Sequence, residues 1–270
     1  MSIDDTAYRS SAGINWTRLK RLHTSPAHYA HDPGDTDTAS RGMLRAVHAL
    51  VLEPDVFGRD FAVCAMRRDA RTKAYQEFLA EHDGKTILNE REFADASVIA
   101  DAVRAYPAAA RLLDHPDAQP EFILRWECSV TGQPCKGRAD YLLVAGNRAT
   151  LIDLKTVRSV NPREMGRDAA KMLYHGQLAH YADGVRAMYP EVEHVAQGIL
   201  AVEGNGPHDV GLYMLDEAAQ YAGKTLRDDL MRRLAECIES DSYPGQCPAP
   251  AVLSLPSWAA GMDSPAPEAL

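Results

Sequence analysis

The sequence predicts an α/β fold, a mixed central sheet flanked by helices. Three observations carry this. Residues 121–128 alternate cleanly, with Phe122, Leu124, Trp126 and Cys128 on one side and Glu121, Ile123, Arg125 and Glu127 on the other. Two further strand-like segments follow at 136–144 and 149–156, completing a meander of three strands. Helical sequence precedes the meander, and two helices, two more strands and a helix follow it, an order that builds one mixed sheet between helices.

The elements read as follows in chain order. A short helix is expected around Ile14 to Leu22, with Ser25-Pro26 as a break. Residues 31–40 are a polar loop. From Arg41 to Leu52 the apolar residues Leu44, Val47, Leu50 and Val51 recur at helical spacing. Glu53-Pro54 ends that helix, because the residue before proline avoids helical geometry. Phe61 to Cys64 reads as a strand, and helices are expected at about 71–81 and 90–105.

After the meander, with its turn at Gly146-Asn147, Asn161-Pro162 opens helical sequence. A longer helix runs from about Tyr174 to Tyr189. Strands at 195–202 and 208–215 lead to a last helix, 216–240, capped by Asp216. Six prolines crowd the final 27 residues. The expectation is one domain over residues 1–258, with an ordered wrap to Trp258 and a mobile tail over 259–270.

The bulk composition excludes several classes. At 46% hydrophobic and 25% charged, the chain of 270 residues has the makeup of a globular protein with a substantial core. No run of 18 apolar residues predicts a membrane span. No basic segment followed by an apolar one opens the chain, which predicts no secretory signal and a cytoplasmic location. The net charge of −9 argues against clamping nucleic acid by overall charge. Two local basic sets remain, Arg67, Arg68, Arg71 and Lys73, and Arg158, Arg163, Arg167 and Lys171; solvated helix faces explain either equally well. Five cysteines show no CxxC pair, and only Cys237 and Cys247 lie near the C-terminus, so neither a zinc knuckle nor an iron–sulfur cluster is expected.

The most informative stretch runs from Lys136 to Lys155. Side chains at i and i+2 of a strand share a face, so Asp153 and Lys155 point one way and Ile152 and Leu154 the other, into a core. The turn between the strands can bring Asp140 to the same end of the sheet. Two aspartates, a backbone carbonyl and one more ligand suffice for Mg²⁺, and a neighbouring lysine can orient a water. The plainer alternative is a surface hairpin with alternating Asp and Lys. His48 is the candidate extra ligand, although a histidine beside Leu50 and Val51 is also ordinary packing. Gln177 and Tyr181 share a helix face at i and i+4, where they can serve as neutral donors or form a solvent-facing polar stripe. No GxGxxG, Walker loop, HExxH or GxSxG is present.

Gly137-Arg138-Ala139-Asp140, Ile152-Asp153-Leu154-Lys155-Thr156 and Tyr174-His175-Gly176-Gln177-Leu178-Ala179-His180-Tyr181 together resemble the PD-(D/E)XK nuclease superfamily. The resemblance is greatest to the nuclease domains of the exonuclease VIII (RecE) type and their phage relatives, and it covers about residues 8–258. It implies the restriction-endonuclease-like core and a metal-dependent exodeoxyribonuclease. His48, Asp140, Asp153 and the carbonyl of Leu154 would hold Mg²⁺, with Mn²⁺ able to substitute. Lys155 would orient the attacking water, Gln177 and Tyr181 match the QxxxY motif of RecB-like nucleases, and Glu121 matches an acidic position on the preceding strand. Two departures stand out: Leu44 replaces the glycine four residues before the histidine, and Ala139 replaces the proline before the first aspartate.

The same resemblance implies linear duplex DNA ends as substrate, degraded 5′-to-3′ in phage-type recombination, a homo-oligomer, and a single-strand annealing recombinase as partner, with no membrane involved. A RecB-like single-strand-specific nuclease, an endonuclease, and a DNA-end-binding module without catalysis are the alternatives.

Overall fold

A computed structural model describes residues 8, 10–31, 39–256 and 259 of the chain. The expected wrap at Trp258, the tail from residue 260, and residues 32–38 of the polar segment lie outside them.

Asn15 caps the first helical turn, α1 (Trp16–Leu19), by accepting from the Arg18 amide at 2.8 Å. The chain continues as a 3-10 turn over Lys20–His23. Ser25, read as a break, instead caps a short helix, α2 (Pro26–Ala30), whose Pro26 sits where a missing N–H costs nothing. Next come α3 (Ala39–Leu52), α4 (Phe57–Asp60), β1 (Phe61–Cys64), α5 (Lys73–Glu81), β2 (Thr86–Asn89), α6 (Glu90–Ala105) and α7 (Pro107–Leu113). The β2 strand was not expected: it pairs in parallel with β1, a two-stranded sheet apart from the main one. Asn89 and Glu92 form a reciprocal capping box that starts α6 directly where β2 ends.

The main sheet has five strands in the order β3 (Gln119–Glu127), β4 (Pro134–Ala145), β5 (Arg148–Val157), β6 (His194–Glu203) and β7 (Val210–Met214). All neighbours are antiparallel except β5 and β6. That parallel pair is joined by α8 (Pro162–Lys171) and α9 (Tyr174–Met188), and α10 (Glu217–Ser240) closes the chain's regular structure. The sheet is therefore mixed, as expected. Among the described residues no helix is long and apolar enough to cross a membrane.

Helices cover both faces. Leu124, Leu142, Leu151 and Ile199 pack with Leu178 of α9, and with Leu230 and Met231 of α10. Tyr141, Ile152, Leu154 and Leu200 pack the other way, with Val47 and Val51 of α3 and Ile99 and Val103 of α6. The β4–β5 hairpin is thus a central pair buried on both faces, not the surface hairpin that the sequence also allowed; Asp153 is only 1% exposed.

A buried polar network pins α9. Asp183 accepts from Trp126 Nε1 of β3 at 2.9 Å and from Ser129 Oγ at 2.7 Å, and pairs with Arg227 of α10 at 2.9 Å. Those helices also approach very closely at Gly223, where a Cβ would stand 2.3 Å from the His175 carbonyl oxygen. Gly223→Ala should therefore force α9 and α10 apart and cost about 1–3 kcal/mol. In urea unfolding the midpoint should fall with the slope unchanged; an unchanged midpoint would show that the contact yields freely.

Candidate active site

The site lies where β4 and β5 part. Their paired register ends at Tyr141 and Ile152, so Asp140 and Asp153, next in line, do not close the ladder. Instead the Asp140 carboxylate accepts from the Leu154 amide at 2.7 Å. A side chain has taken the place of a strand carbonyl, and β5 continues along β6 alone.

A second irregularity faces it. Between the pairs Pro120–Tyr141 and Phe122–Ala139, the register sets Glu121 opposite Asp140. Glu121 has φ of +49°, a left-handed backbone in mid-strand. Such conformations in residues other than glycine cost free energy and collect at functional sites. The strand pair changes phase here. Cys135 and Ala139 face α9 before the site, whereas Leu142 and Val144 do so after it. Asp140 is thereby reached from both sides of the sheet.

His48 comes from α3 on one side. Its Nδ1 lies 3.6 Å from Asp140 Oδ2, and the Leu154 backbone bonds to its ring. One donor atom each from His48, Glu121 and Asp140 lie within 4.8 Å of one another, a spacing that fits one metal ion. From the other side, α9 brings Gln177, whose Nε2 donates to Asp153 Oδ1 at 2.8 Å and to Tyr181 Oη at 3.2 Å. Lys155 Nζ meets Asp153 Oδ2 at 2.5 Å and stands 5.1 Å from the centre of the Tyr174 ring. The expectation that Asp153 and Lys155 share a face holds in the geometry. So does the common face of Gln177 and Tyr181, but it points inward at the carboxylates rather than to solvent.

Tyr181 reaches the site because Gly137 lies beneath it. A Cβ there would stand 2.7 Å from the phenol ring. The helix itself starts at Leu173, another left-handed residue with φ of +60°, which turns the chain sharply from α8 into α9.

Among the described residues, one cluster of donors could hold a metal ion, and its members overlap the expected set at His48 and Asp140. Glu121 joins His48 and Asp140 in the preformed cluster, while the oxygens of Asp153 are held by Lys155 and Gln177. The Leu154 backbone touches His48 and Asp140 as described. Three contacts went unforeseen: Arg138 Nε pairs with Glu121 at 2.7 Å, Tyr174 carries Lys155 over its ring, and Asp183 anchors the helix that bears Gln177. Only Arg138 gave any signal, as the single cation within the Gly137–Asp140 motif.

Electrostatics follow from burial. Leu52, Ile152, Leu154 and Leu200 wall the space beside Asp140. Burial raises its pKa, against the pull of Lys155, the Leu154 amide and Arg138. Burial likewise lifts Asp153 to about 6, with Lys155 opposing and Asp140 reinforcing the shift. Burial and the nearby Lys155 hold His48 down to about 4, so its imidazole is neutral at pH 7 and ready to donate a lone pair. Burial disfavours the Lys155 ammonium, but Asp153 and Asp140 outweigh it and its pKa is raised. Burial and the same two carboxylates keep the Tyr181 phenol protonated.

The family model of the PDDEXK-like domain of unknown function (DUF3799) matches residues 16–254. The chain belongs to this family. The solved structure of a protein from Eubacterium rectale, described as a candidate exonuclease, aligns with a TM-score of 0.62 at 13% identity. The alignment covers 98% of this chain and 100% of that one, and at such identity it bears on fold alone. The structure of the protein SSO0001 aligns over 80% of this chain and 85% of its own, at 18% identity, but its TM-score of 0.30 carries no weight. No curated protein sequence matches this one.

Asp153 holds its proton up to about pH 6 in the fold, against about 3.9 in an unfolded chain. Ionising it as pH rises through that window costs stability. In chelator, Asp153→Asn should raise Tm at pH 7–8 and lose its advantage below about pH 4. A variant less stable than wild type at pH 8 would contradict the assignment. Mn²⁺ should stabilise the wild type. His48→Ala should reduce that Mn²⁺-dependent gain in Tm more than it reduces the Tm in chelator. The reverse pattern would make His48 a packing residue.

Proposed function

We propose that this protein is a metal-dependent exodeoxyribonuclease that degrades linear duplex DNA from its ends. The observation that carries the reading is the convergence of Asp140, Asp153 and Lys155 at the parting of β4 and β5, in a chain of the PDDEXK-like family. The Eubacterium rectale protein, described as a candidate exonuclease, shares the fold that carries this site. The RecE-like sequence features favour duplex ends, 5′-to-3′ polarity and service beside an annealing recombinase, with the protein acting as a homo-oligomer.

His48, Glu121 and Asp140 would hold Mg²⁺ or Mn²⁺, with Asp153 completing the shell. When bound, the ion lowers the pKa of its water and neutralises charge on the phosphate. Lys155 is a compact cation fixed by Asp153, suited to hold the attacking water and to meet negative charge as it builds on the phosphate. Gln177 orients Asp153, and Tyr181 offers a neutral hydroxyl beside it. The exposed residues Arg163, Arg167 and Lys171 on α8 would contact the DNA backbone. The other basic set is a poorer candidate, since Arg68, Arg71 and Lys73 are each paired with a carboxylate.

A linear duplex labelled at either end, compared with a covalently closed circle, tests the reading. Release of labelled nucleotides in Mg²⁺ and none in EDTA, with the circle intact, is the expected outcome. Cutting of the circle would favour an endonuclease, and degradation of single strands alone a RecB-like enzyme. Binding of ends without cleavage would leave an inactive end-binding module. Lys155→Ala should slow single-turnover cleavage by roughly 10²–10³, with a much smaller loss of end binding. Lys155→Arg should rescue poorly, since a planar fork does not replace a point charge. Equal losses in binding and cleavage would reduce Lys155 to a phosphate anchor.

A further inference from the structure

Within the cluster of His48, Glu121 and Asp140, Glu121 has a carboxylate oxygen that an arginine already holds. Its carboxylate lies within reach of the His48 and Asp140 donors, yet Arg138 Nε already holds Oε2 at 2.7 Å. Arg138 is not a stray surface cation. It sits on β4 two residues before Asp140, and its guanidinium lies 5.7 Å from the centre of the Tyr8 ring. Tyr8 is itself tied down: the buried Lys136 donates to the carbonyls of Tyr8 at 2.9 Å and Ser11 at 2.6 Å. This strap lies outside the residues matched by the family model, which begin at residue 16. The Arg138 charge also acts on His48 and Asp140.

Charge counting gives the arrangement a direction. Glu121, Asp140 and Asp153 face two fixed cations, Arg138 and Lys155, and His48 is neutral. A divalent ion among the three donors would bring total positive charge above the carboxylates' charge. Arg138 is then the cation with least reason to stay on Glu121, and a phosphodiester oxygen is the anion it fits best, through its bidentate fork.

We propose that Arg138 is a built-in competitor of the metal ion: it holds Glu121 until the ion takes that carboxylate, and then engages a phosphate oxygen of the DNA. The inference rests on the nuclease reading above and adds a substrate-contacting residue to it. It requires that Arg138 oppose metal binding while assisting cleavage. A residue that merely steadied Glu121 for ligation would assist both.

The test is Mn²⁺ titration by calorimetry on wild type, Arg138→Gln and Arg138→Lys, beside single-turnover cleavage of a labelled linear duplex at saturating Mn²⁺. Removing one positive charge from the edge of the site should tighten Mn²⁺ binding by about 3–10-fold in Arg138→Gln. Cleavage should fall by about 10²-fold, as for loss of one preorganised charge donor. Arg138→Lys should keep affinity near wild type, because the charge remains, and recover part of the rate. Weaker or unchanged Mn²⁺ binding in Arg138→Gln overturns the competition. An unchanged cleavage rate in that variant overturns the phosphate contact. Failure of the nuclease reading would look different: wild type itself would bind Mn²⁺ without cutting DNA, or bind none. A thermal melt of each variant excludes loss of fold as the cause, and Arg138→Lys keeps the comparison if Arg138→Gln does not fold.

Discussion

The hydrogen bond from the Leu154 amide to the Asp140 carboxylate is the contact on which the site depends. A sheet cannot leave a buried amide without a partner, and an ionised carboxylate cannot sit buried without donors. Each group solves the other's problem. With that bond made, β4 no longer needs to track β5, and the two strands part inside the core. The gap is what lets His48 approach from α3 and Gln177 and Tyr181 approach from α9. A regular ladder would have kept those layers a sheet's thickness apart.

The same arrangement makes the site expensive. Asp140 and Asp153 are both pushed toward their protonated forms, and Glu121 keeps a strained backbone. Lys155 and Arg138 offset part of this charge, and a divalent cation is the natural remainder. Stability is recovered elsewhere. The Asp183–Arg227 pair, the Trp126 hydrogen bond and the tight α9–α10 contact lock the helix that faces the carboxylates. Rigid support outside and unfavourable electrostatics inside are what a preorganised ion site requires.

How much of this the sequence disclosed depended on how local each signal was. Asp153, Lys155 and the i, i+4 pair Gln177–Tyr181 follow from periodicity within one element, and their shared faces are as expected. The five main strands, and the mixed sheet they form, were legible from alternation and turn residues. What escaped was non-local. The four-residue β2 gains its identity only by pairing with β1, twenty-odd residues earlier. The phase change at Glu121 breaks the very alternation used to read the strand, so that Glu121 turns to His48 and Asp140 rather than out to solvent. Ser25-Pro26 marked a boundary correctly but not its kind, since a cap followed by proline both stops and starts a helix. The Arg138–Glu121 pair crosses strands and had no signature beyond a cation beside an acidic motif.

The central claim is that the parting of β4 and β5 creates one ion site fed from both helical layers. Anomalous diffraction from crystals soaked in Mn²⁺ locates that ion directly. The account predicts one strong peak at coordination distance, about 2.0–2.2 Å, from Asp140, with His48 and Glu121 among its ligands and Asp153 on its open side. A peak that leaves Asp140 uncoordinated, or none at Mn²⁺ concentrations that raise the melting temperature, would contradict it.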